Sequence, residues 1–211
     1  MDAAVAVVGP LAEDGHPGAA AVATAAAALA AAAAILAAAV RRGIGKMNLK
    51  RIWRHILMND FHVKRSFSEA VLNAIQAAVK HSEKTHSAEI RFVVEGELTW
   101  AQLLSDMSPR ARALEVFSNL RIWDTEENNG VLIYVLLADR SVEIIADRGI
   151  NKHAGENFWR ATCNLIQEEF RAGRFEAGSV KGVEAISVLL QKHFPYSGEN
   201  SNELPDRPLL M

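Results

Sequence analysis

The apolar run from Val131 to Ala138 is the most informative feature of the hydrophobic pattern. It has no polar position on either face apart from the Tyr134 hydroxyl, which is typical of a strand covered on both faces. The next run, Val142 to Asp147, alternates, so its successive side chains point to opposite faces. Only a short loop around Arg140 separates the two runs. The pattern therefore predicts a β-hairpin whose first strand lies in the middle of a sheet.

The register of this hairpin decides which acidic residues can act together. If the turn is at Asp139 and Arg140, then Asn128 and Asn129 lie beside Asp147 at one end of the sheet. Asp139 lies at the other end, about seven residues or roughly 23 Å away at about 3.3 Å per residue. A loop that is longer or shorter by one or two residues leaves this separation unchanged. We therefore expect that Asp139 and Asp147 do not share one metal ion.

Helix signals lie on both sides of the hairpin. Apolar side chains recur at helical spacing, and some segments begin with a capping residue, such as Ser108 before Pro109. The predicted helices cover residues 49–57, 66–86, 97–106, 108–120, 155–173 and 179–193, and residues 89–95 form a further strand. Together these elements predict a three-layer α/β domain over residues 47–195. Residues 196–211 contain few core-forming side chains and are predicted to be a disordered tail.

The first predicted helix is amphipathic, and its orientation is open. Its apolar stripe consists of Leu49, Ile52, Trp53, Ile56 and Leu57, and the opposite face carries Lys50, Arg51, Arg54 and His55. A basic amphipathic helix of this kind can lie in an anionic membrane interface. It can equally dock its apolar stripe on its own domain and leave the charges in solvent.

Residues 1–46 differ in composition from the rest of the chain. Ala19 to Val40 is an uncharged, alanine-rich stretch of 22 residues, which is long enough to span a bilayer, although alanine adds little insertion energy. Three interpretations stay open: a transmembrane helix, a solvated alanine helix, or a start-site artefact in a chain that begins at Met47. If the stretch inserts, Arg41, Arg42 and Lys46 place the domain in the cytoplasm, tethered to the inner membrane.

Composition narrows the function further. The formal net charge of −2 argues against a dedicated nucleic-acid-binding protein, which usually has a large basic excess. A single cysteine, Cys163, excludes an internal disulfide framework and is expected to belong to the core. The seven histidines show no H-E-x-x-H spacing, so a zinc hydrolase has little support.

Oxygen-bearing side chains gather at one end of the predicted hairpin. Asp124, Asn128, Asn129 and Asp147 lie there, with two further glutamates in the same loop. Carboxylate and amide oxygens without histidine or cysteine favour Ca²⁺ or Mg²⁺ over zinc. A plainer alternative is a turn in which Gly130 has a positive φ and Asp147 caps the following helix. We expect a weak cation site formed by Asp124, Asn128, Asn129 and Asp147.

Several motifs together resemble the TPM-domain family. They are N-N-G-V-L-I-Y-V from Asn128, A-D-R-x-V-E-I-x-A-D-R-G-I from Ala138, a tryptophan-containing helix, F-R-A-G-R-F-x-A-G from Phe170 and a final helix ending in H-F-P. The resemblance covers about residues 51–195. This family includes a plant thylakoid-lumen protein described as an acid phosphatase and photosystem repair factor, and many membrane-tethered bacterial proteins. The resemblance implies a mixed sheet of about four strands with helices on both faces, and a divalent-cation site among the acidic loops.

The chain departs from the commoner family pattern in two ways. Most relatives carry a cleaved signal peptide and a transmembrane segment after the domain, whereas any span in this chain precedes the domain. Many relatives follow the second hairpin strand with G-Y-G-L-E, where this chain has A-D-R-G-I from Ala146. Because the glutamate of that motif is absent, a phosphatase role does not transfer directly.

Two classes of function therefore remain. One is an interaction or assembly module with an unidentified protein partner, able to associate with a membrane through residues 19–57. The other is a divalent-metal-assisted phosphatase, which would need a metal-bound water or a nucleophile and a general acid. No convincing general acid stands out in the sequence, so we expect the interaction module.

Overall fold

The structure is a computed structural model that describes residues 48–196, 198 and 202–211. The predicted extension of residues 1–46, with its possible transmembrane helix, lies outside the described residues and stays a prediction. Within the part of the chain that the structure describes, no helix is both long and apolar enough to cross a membrane.

Twelve elements follow one another along the described chain. They are α1 (Leu49–Leu57), α2 (Asp60–Ser66), α3 (Glu69–Ser82), β1 (Glu89–Glu95), α4 (Trp100–Leu104), α5 (Pro109–Asn119), β2 (Gly130–Leu136), β3 (Ser141–Ala146), α6 (Arg148–Asn151), α7 (Glu156–Arg171), α8 (Phe175–His193) and β4 (Leu209–Leu210). Local signals explain several of the boundaries. Ser108 caps α5 and Pro109 occupies its first turn, as predicted. The helix predicted from residue 66 begins instead at Glu69, with Ser68 as its cap.

The strands form one mixed sheet in the order β3-β2-β1-β4. β2 pairs with β3 as an antiparallel hairpin, and β1 runs parallel to both β2 and β4. The hairpin is confirmed, but Leu136 faces Ser141, so the loop has four residues and the register differs by two from the expected turn. Arg140 in this loop adopts a φ of +53°. The acidic residues keep their predicted ends of the sheet.

Helices cover both faces of the sheet, which confirms the three-layer α/β architecture. All seven residues of β2 are buried, because its alternate side chains enter two separate cores. One core contains Ile133 and Val135 with side chains of α3, α7 and α8. The other contains Leu132, Tyr134 and Leu136 with side chains of α4 and α5. The continuous apolar run of β2 follows from this double coverage.

The prediction of a disordered tail is wrong for residues 202–211. β4 adds a fourth strand beside β1, the Met211 N–H donates to the Val94 carbonyl at 2.9 Å, and the Gly96 N–H donates to the Met211 carbonyl at 3.2 Å. The buried Arg91 side chain donates to the carbonyls of Pro205 and Arg207 at 2.5 and 2.6 Å. A two-residue strand has too few side chains to show a hydrophobic period, so its partner on β1 determines its structure.

The apolar stripe of α1 does not dock on the domain. Ile52 is buried, but Leu49, Trp53 and Leu57 are 50%, 44% and 65% exposed. The helix instead turns a polar side inward, and His55 is almost completely buried. The hydrophobic pattern does not predict which face of α1 meets the domain, because ion pairs hold the polar face against it. These ion pairs are described below.

Candidate functional site

Asn129 lies at the centre of the predicted cation site, where the acidic loop meets β1. The residue is buried, and its side-chain Nδ2 donates to the Ser87 carbonyl at 2.7 Å and to Glu127 Oε2 at 3.2 Å. Its Oδ1 is buried without a hydrogen-bond partner among the described residues. This oxygen is therefore free to accept a ligand, and leaving it without one is costly.

Asp147 directly follows β3, which ends at Ala146 and not at Asp147 as the sequence predicts. Its N–H donates to the Gly130 carbonyl at 2.9 Å, and its Oδ1 accepts from the Arg148 N–H at 2.6 Å, which caps α6. Asp147 Oδ2 is buried, and the described part of the chain offers it no hydrogen-bond partner. The capping role and an unpaired second oxygen are compatible, since a carboxylate can accept several bonds.

The other two residues of the predicted cation site, Asn128 and Asp124, lie at the protein surface. Asn128 is exposed and adopts a φ of +51°, so it makes the left-handed turn that the sequence assigns to Gly130. Position 130 requires glycine for a steric reason instead, since a Cβ there would lie 2.1 Å from the Ile122 carbonyl oxygen. Asp124 is exposed. Across residues 48–196, 198 and 202–211, no three His, Cys, Asp or Glu side chains are already grouped to hold a metal ion.

A second group of carboxylates, missed by the sequence analysis, lies near the first residues of β1. Glu83 after α3, Glu89 on β1 and Asp206 in the C-terminal segment line one cavity. The sequence of β1 contains a signal that could have revealed this group of carboxylates. Glu89, Arg91 and Glu95 alternate along β1, and a covered strand with a charged face must find a partner for each charge.

Burial controls the ionisation of this group. Burial, with the nearby carboxylates of Glu89 and Asp206, raises the pKa of Glu83 from 4.5 to about 8. Burial also raises the pKa of Glu89. On the same connection, the fully buried His86 has its pKa lowered by burial from 6.5 to about 4. Each shift favours the neutral form of its group.

These shifts predict a stability maximum between about pH 5 and 6.5. Glu83 stabilises the fold fully below pH 4.5, and this contribution is lost as the pH rises towards 8. His86 contributes fully above pH 6.5, and its contribution is lost as the pH falls towards 4. We expect urea unfolding to show a decrease of about 2–3 kcal/mol between pH 5 and 8 from Glu83. In Glu83→Gln the free energy of unfolding should decrease less between pH 5 and 8. An unchanged decrease in the variant would contradict the assignment.

The opposite end of the sheet is held by an ion cluster around Asp139. Arg51 of α1 donates to Asp139 with Nε at 3.0 Å and with Nη2 at 2.8 Å. His55 Nε2 lies 3.3 Å from the same carboxylate, and His55 Nδ1 accepts from the Leu98 N–H at 3.0 Å. Burial alone would raise the pKa of Asp139, but the nearby His55 and Arg51 side chains lower it to about 2. Asp139 therefore fixes α1 to the hairpin loop.

A further cluster of buried polar side chains joins α5 to β1 and β2, and it does not form an open site. Glu95 accepts from Arg112 Nε at 2.9 Å and from Arg112 Nη2 at 2.8 Å, and it also accepts from the Tyr134 hydroxyl. Burial and the hydrogen bond to Glu95 raise the pKa of Tyr134. Burial likewise raises the pKa of the Cys163 thiol to about 11, which disfavours a reactive thiolate.

Comparisons with known proteins agree with this architecture. Residues 63–189 match the TPM domain. The chain is similar to the NMR structure of the BA42 protein from the psychrophilic bacterium Bizionia argentinensis, with 35% identity, a TM-score of 0.61, and coverage of 68% of this chain and 94% of that one. The N-terminal domain of a protein from P. gingivalis matches with 18% identity and a TM-score of 0.48 over 61% of this chain and 81% of that one.

A comparison with curated proteins finds no match. The domain match alone covers more than half of the 211 residues. It includes β1, the hairpin and α7, which carry most of the core. The chain belongs to the TPM-domain family.

Proposed function

We propose that this TPM domain is an interaction and assembly module that binds an anionic membrane surface through α1 and the start of α2. The observation that carries this proposal is the outward apolar face of α1. Leu49, Trp53 and Leu57 lie on one face of α1, and Phe61 in the first turn of α2 is 66% exposed. Several large exposed apolar side chains on two successive helices are more typical of an interaction surface than of solvated protein.

The ion cluster explains how this apolar face is kept outward. Arg51 and His55 bind Asp139 from the inner side of α1, so the helix cannot rotate its apolar stripe inward without breaking buried ion pairs. Breaking such pairs costs several kcal/mol.

Basic residues flank the same surface. Lys50, Lys64 and Arg65 are exposed, and cationic side chains beside an apolar helix face favour binding to anionic lipid. Arg54 is exposed as well, but its Nη2 lies 3.4 Å from Asp139 Oδ1. In the sequence, eight residues separate Val40, the last residue of the alanine-rich stretch, from Leu49 at the start of α1.

Replacing the exposed apolar side chains should weaken vesicle binding. We expect the full chain with Trp53→Ser, Leu57→Ser and Phe61→Ser to bind phosphatidylglycerol-containing vesicles at least about tenfold more weakly in co-sedimentation. Each side chain can contribute about 1 kcal/mol when it enters the interface, and 1.4 kcal/mol is a factor of ten.

The matched control removes exposed apolar side chains elsewhere. Leu114→Ser, Trp123→Ser and Val188→Ser change residues that are 49%, 49% and 70% exposed, and this triple variant should bind like the unmodified chain. Neutral vesicles or high salt should weaken binding of the unmodified chain. Equal binding by both triple variants would contradict the proposal. If the first triple variant still binds lipid but no longer captures a protein that the unmodified chain captures in a pull-down, this face binds a protein partner instead.

We also propose that a divalent cation, Ca²⁺ or Mg²⁺, binds weakly at the hairpin end formed by Asp124, Asn128, Asn129 and Asp147. The unpartnered oxygens of Asn129 and Asp147, considered among the described residues, support this. Both are hard oxygen donors of the kind these cations take. The exposed positions of Asp124 and Asn128 leave room for water to complete the coordination.

A Ca²⁺ or Mg²⁺ titration followed by amide chemical shifts tests this site. We expect saturable shifts near residues 124–129 with a Kd of about 10⁻⁴ to 10⁻³ M, and a clear reduction in Asp147→Asn. Asp106→Asn is the matched control, because Asp106 is an exposed carboxylate beside Arg51 at the opposite end. It is preferable to Asp139→Asn, which would also break the α1 ion cluster. Equal loss in both variants, or no saturable shift, would contradict the site.

A divalent-metal-assisted phosphatase is the alternative function. Its support is the family resemblance together with the unpaired oxygen of Asp147, which could orient a metal-bound water. Hydrolysis of p-nitrophenyl phosphate that requires Mg²⁺ and is lost in Asp147→Asn would favour it over the interaction module.

A further inference from the structure

The C-terminal segment closes a carboxylate-lined cavity that is separate from the proposed site at the hairpin end. The cavity has a volume of about 390 Å³ and lies between the end of α3, the start of β1 and residues 202–206. Glu83, Glu89 and Asp206 each come from a different one of these segments, and Asn202 also lines the cavity. A ligand here would contact the helix layer, the sheet and the tail at once.

Glu89 contributes a buried carboxyl group whose hydrogen bonds are incomplete. Its side chain is completely buried, and its Oε2 accepts from the Leu204 N–H at 3.2 Å. Its Oε1 has no hydrogen-bond partner within the described ranges. A buried carboxylate with one unpaired oxygen is unfavourable unless a proton or a cation neutralises it.

The other two carboxylates face the same need. Glu83 Oε1 accepts from the Ile90 N–H at 3.4 Å, and Asp206 Oδ1 accepts from Asn202 Nδ2 at 2.6 Å. Glu83, Glu89 and Asp206 line the same cavity, so their charges repel one another when all three are ionised. A cation between them would relieve that repulsion.

Cations of the described part of the chain lie near this group without forming ion pairs with it, and the nearby Asp206 partly offsets the lowering of the Arg91 pKa by burial. Lys80 and Lys84 line the cavity, and Arg91 lies on the adjacent part of β1. Among the described residues, no ion pair joins any of these cations to Glu83, Glu89 or Asp206. Arg91 instead uses its guanidinium for the carbonyls of Pro205 and Arg207.

We propose that a divalent cation binds in this cavity through Glu83, Glu89 and Asp206 and thereby fastens the C-terminal strand to the sheet. Ca²⁺ suits the site better than Mg²⁺, because it accepts irregular sets of six to eight oxygen ligands. The three carboxylates line the cavity without already converging on one metal position. Binding therefore requires rotation of these side chains, and we expect a Kd of about 10⁻⁴ to 10⁻³ M.

CaCl₂ titration of the full chain, read out by amide chemical shifts and by the melting temperature, tests the proposal. We expect saturable shifts at Leu204 and Asp206 and a melting temperature that rises with Ca²⁺. Glu89→Gln and Asp206→Asn should each weaken the Ca²⁺ affinity at these amides by at least tenfold. Glu203→Gln is the matched control, because Glu203 is an exposed carboxylate of the same segment. The Ca²⁺ affinity of this variant should equal that of the unmodified chain.

The result is separable from the site at the hairpin end. Asp147→Asn should leave the shifts at Leu204 and Asp206 intact, even if it removes those near residues 124–129. Asp206→Asn keeps the test valid if Glu89→Gln fails to fold, because Asp206 is only partly buried. Wild-type affinity in Asp206→Asn, or no saturable shift at Leu204 and Asp206 in the unmodified chain, would overturn the proposal.

Discussion

Val135→Asp is expected to leave the protein without a cooperatively folded domain. Val135 is 1% exposed in the middle of β2, and its side chain enters the core beneath α3, α7 and α8. A carboxylate there would be buried without a partner, at a cost of several kcal/mol in addition to the lost apolar contacts. That cost is comparable with the whole free energy of unfolding of an ordinary domain, about 5–15 kcal/mol.

Circular dichroism melting and urea unfolding check this expectation. Val188→Asp is the control, since Val188 is 70% exposed on α8, and its unfolding free energy should change by no more than about 0.5 kcal/mol. A soluble Val135→Asp variant that melts cooperatively would show that β2 is not the buried centre of the sheet.

Deletion of residues 202–211 should have the second largest effect. It removes β4 from β1 and takes away the carbonyls that bind the buried Arg91 guanidinium. It also uncovers apolar surface beneath Leu204, Leu209 and Leu210, which pack on the two cores. We expect the free energy of unfolding to fall by about 3–5 kcal/mol, from lost burial and from the unpaired buried cation.

The size of this effect distinguishes a structural strand from a surface attachment. Arg207→Ala breaks the exposed ion pair with Glu69 at 2.6 Å and an exposed hydrogen bond to Asn73 at 3.2 Å, and it should cost less than about 1 kcal/mol. The truncated chain should also aggregate more readily, because β1 becomes an open edge. If the truncated and full chains unfold at the same urea concentration, residues 202–211 contribute nothing to the fold.

The hairpin could be predicted from sequence because its signal is local. β2 is apolar on both faces and β3 alternates, and these two patterns fix their burial without knowledge of distant residues. The loop length was wrong by two residues, since Arg140 adopts a positive φ that the sequence does not reveal. The end-to-end separation of Asp139 from Asp147 did not depend on that detail.

The orientation of α1 could not be predicted because its cause is remote. Arg51 and Asp139 are separated by 88 positions in the chain, and a hydrophobic pattern contains no information on such a pair. An amphipathic pattern indicates that a helix has two faces, but not which face meets the domain when the polar face has a buried partner. The same limit hid the carboxylate cavity, where Glu83, Glu89 and Asp206 meet only in the folded chain.

Quenching of tryptophan fluorescence by brominated lipids tests most directly whether α1 contacts the membrane. The chain has four tryptophans, and Trp53 is the one on the proposed membrane face. We expect vesicles of brominated phosphatidylglycerol to quench the full chain, and Trp53→Phe to remove most of that quenching while the variant still binds. Undiminished quenching in Trp53→Phe, or none in the unmodified chain bound to these vesicles, would contradict a membrane role for this face.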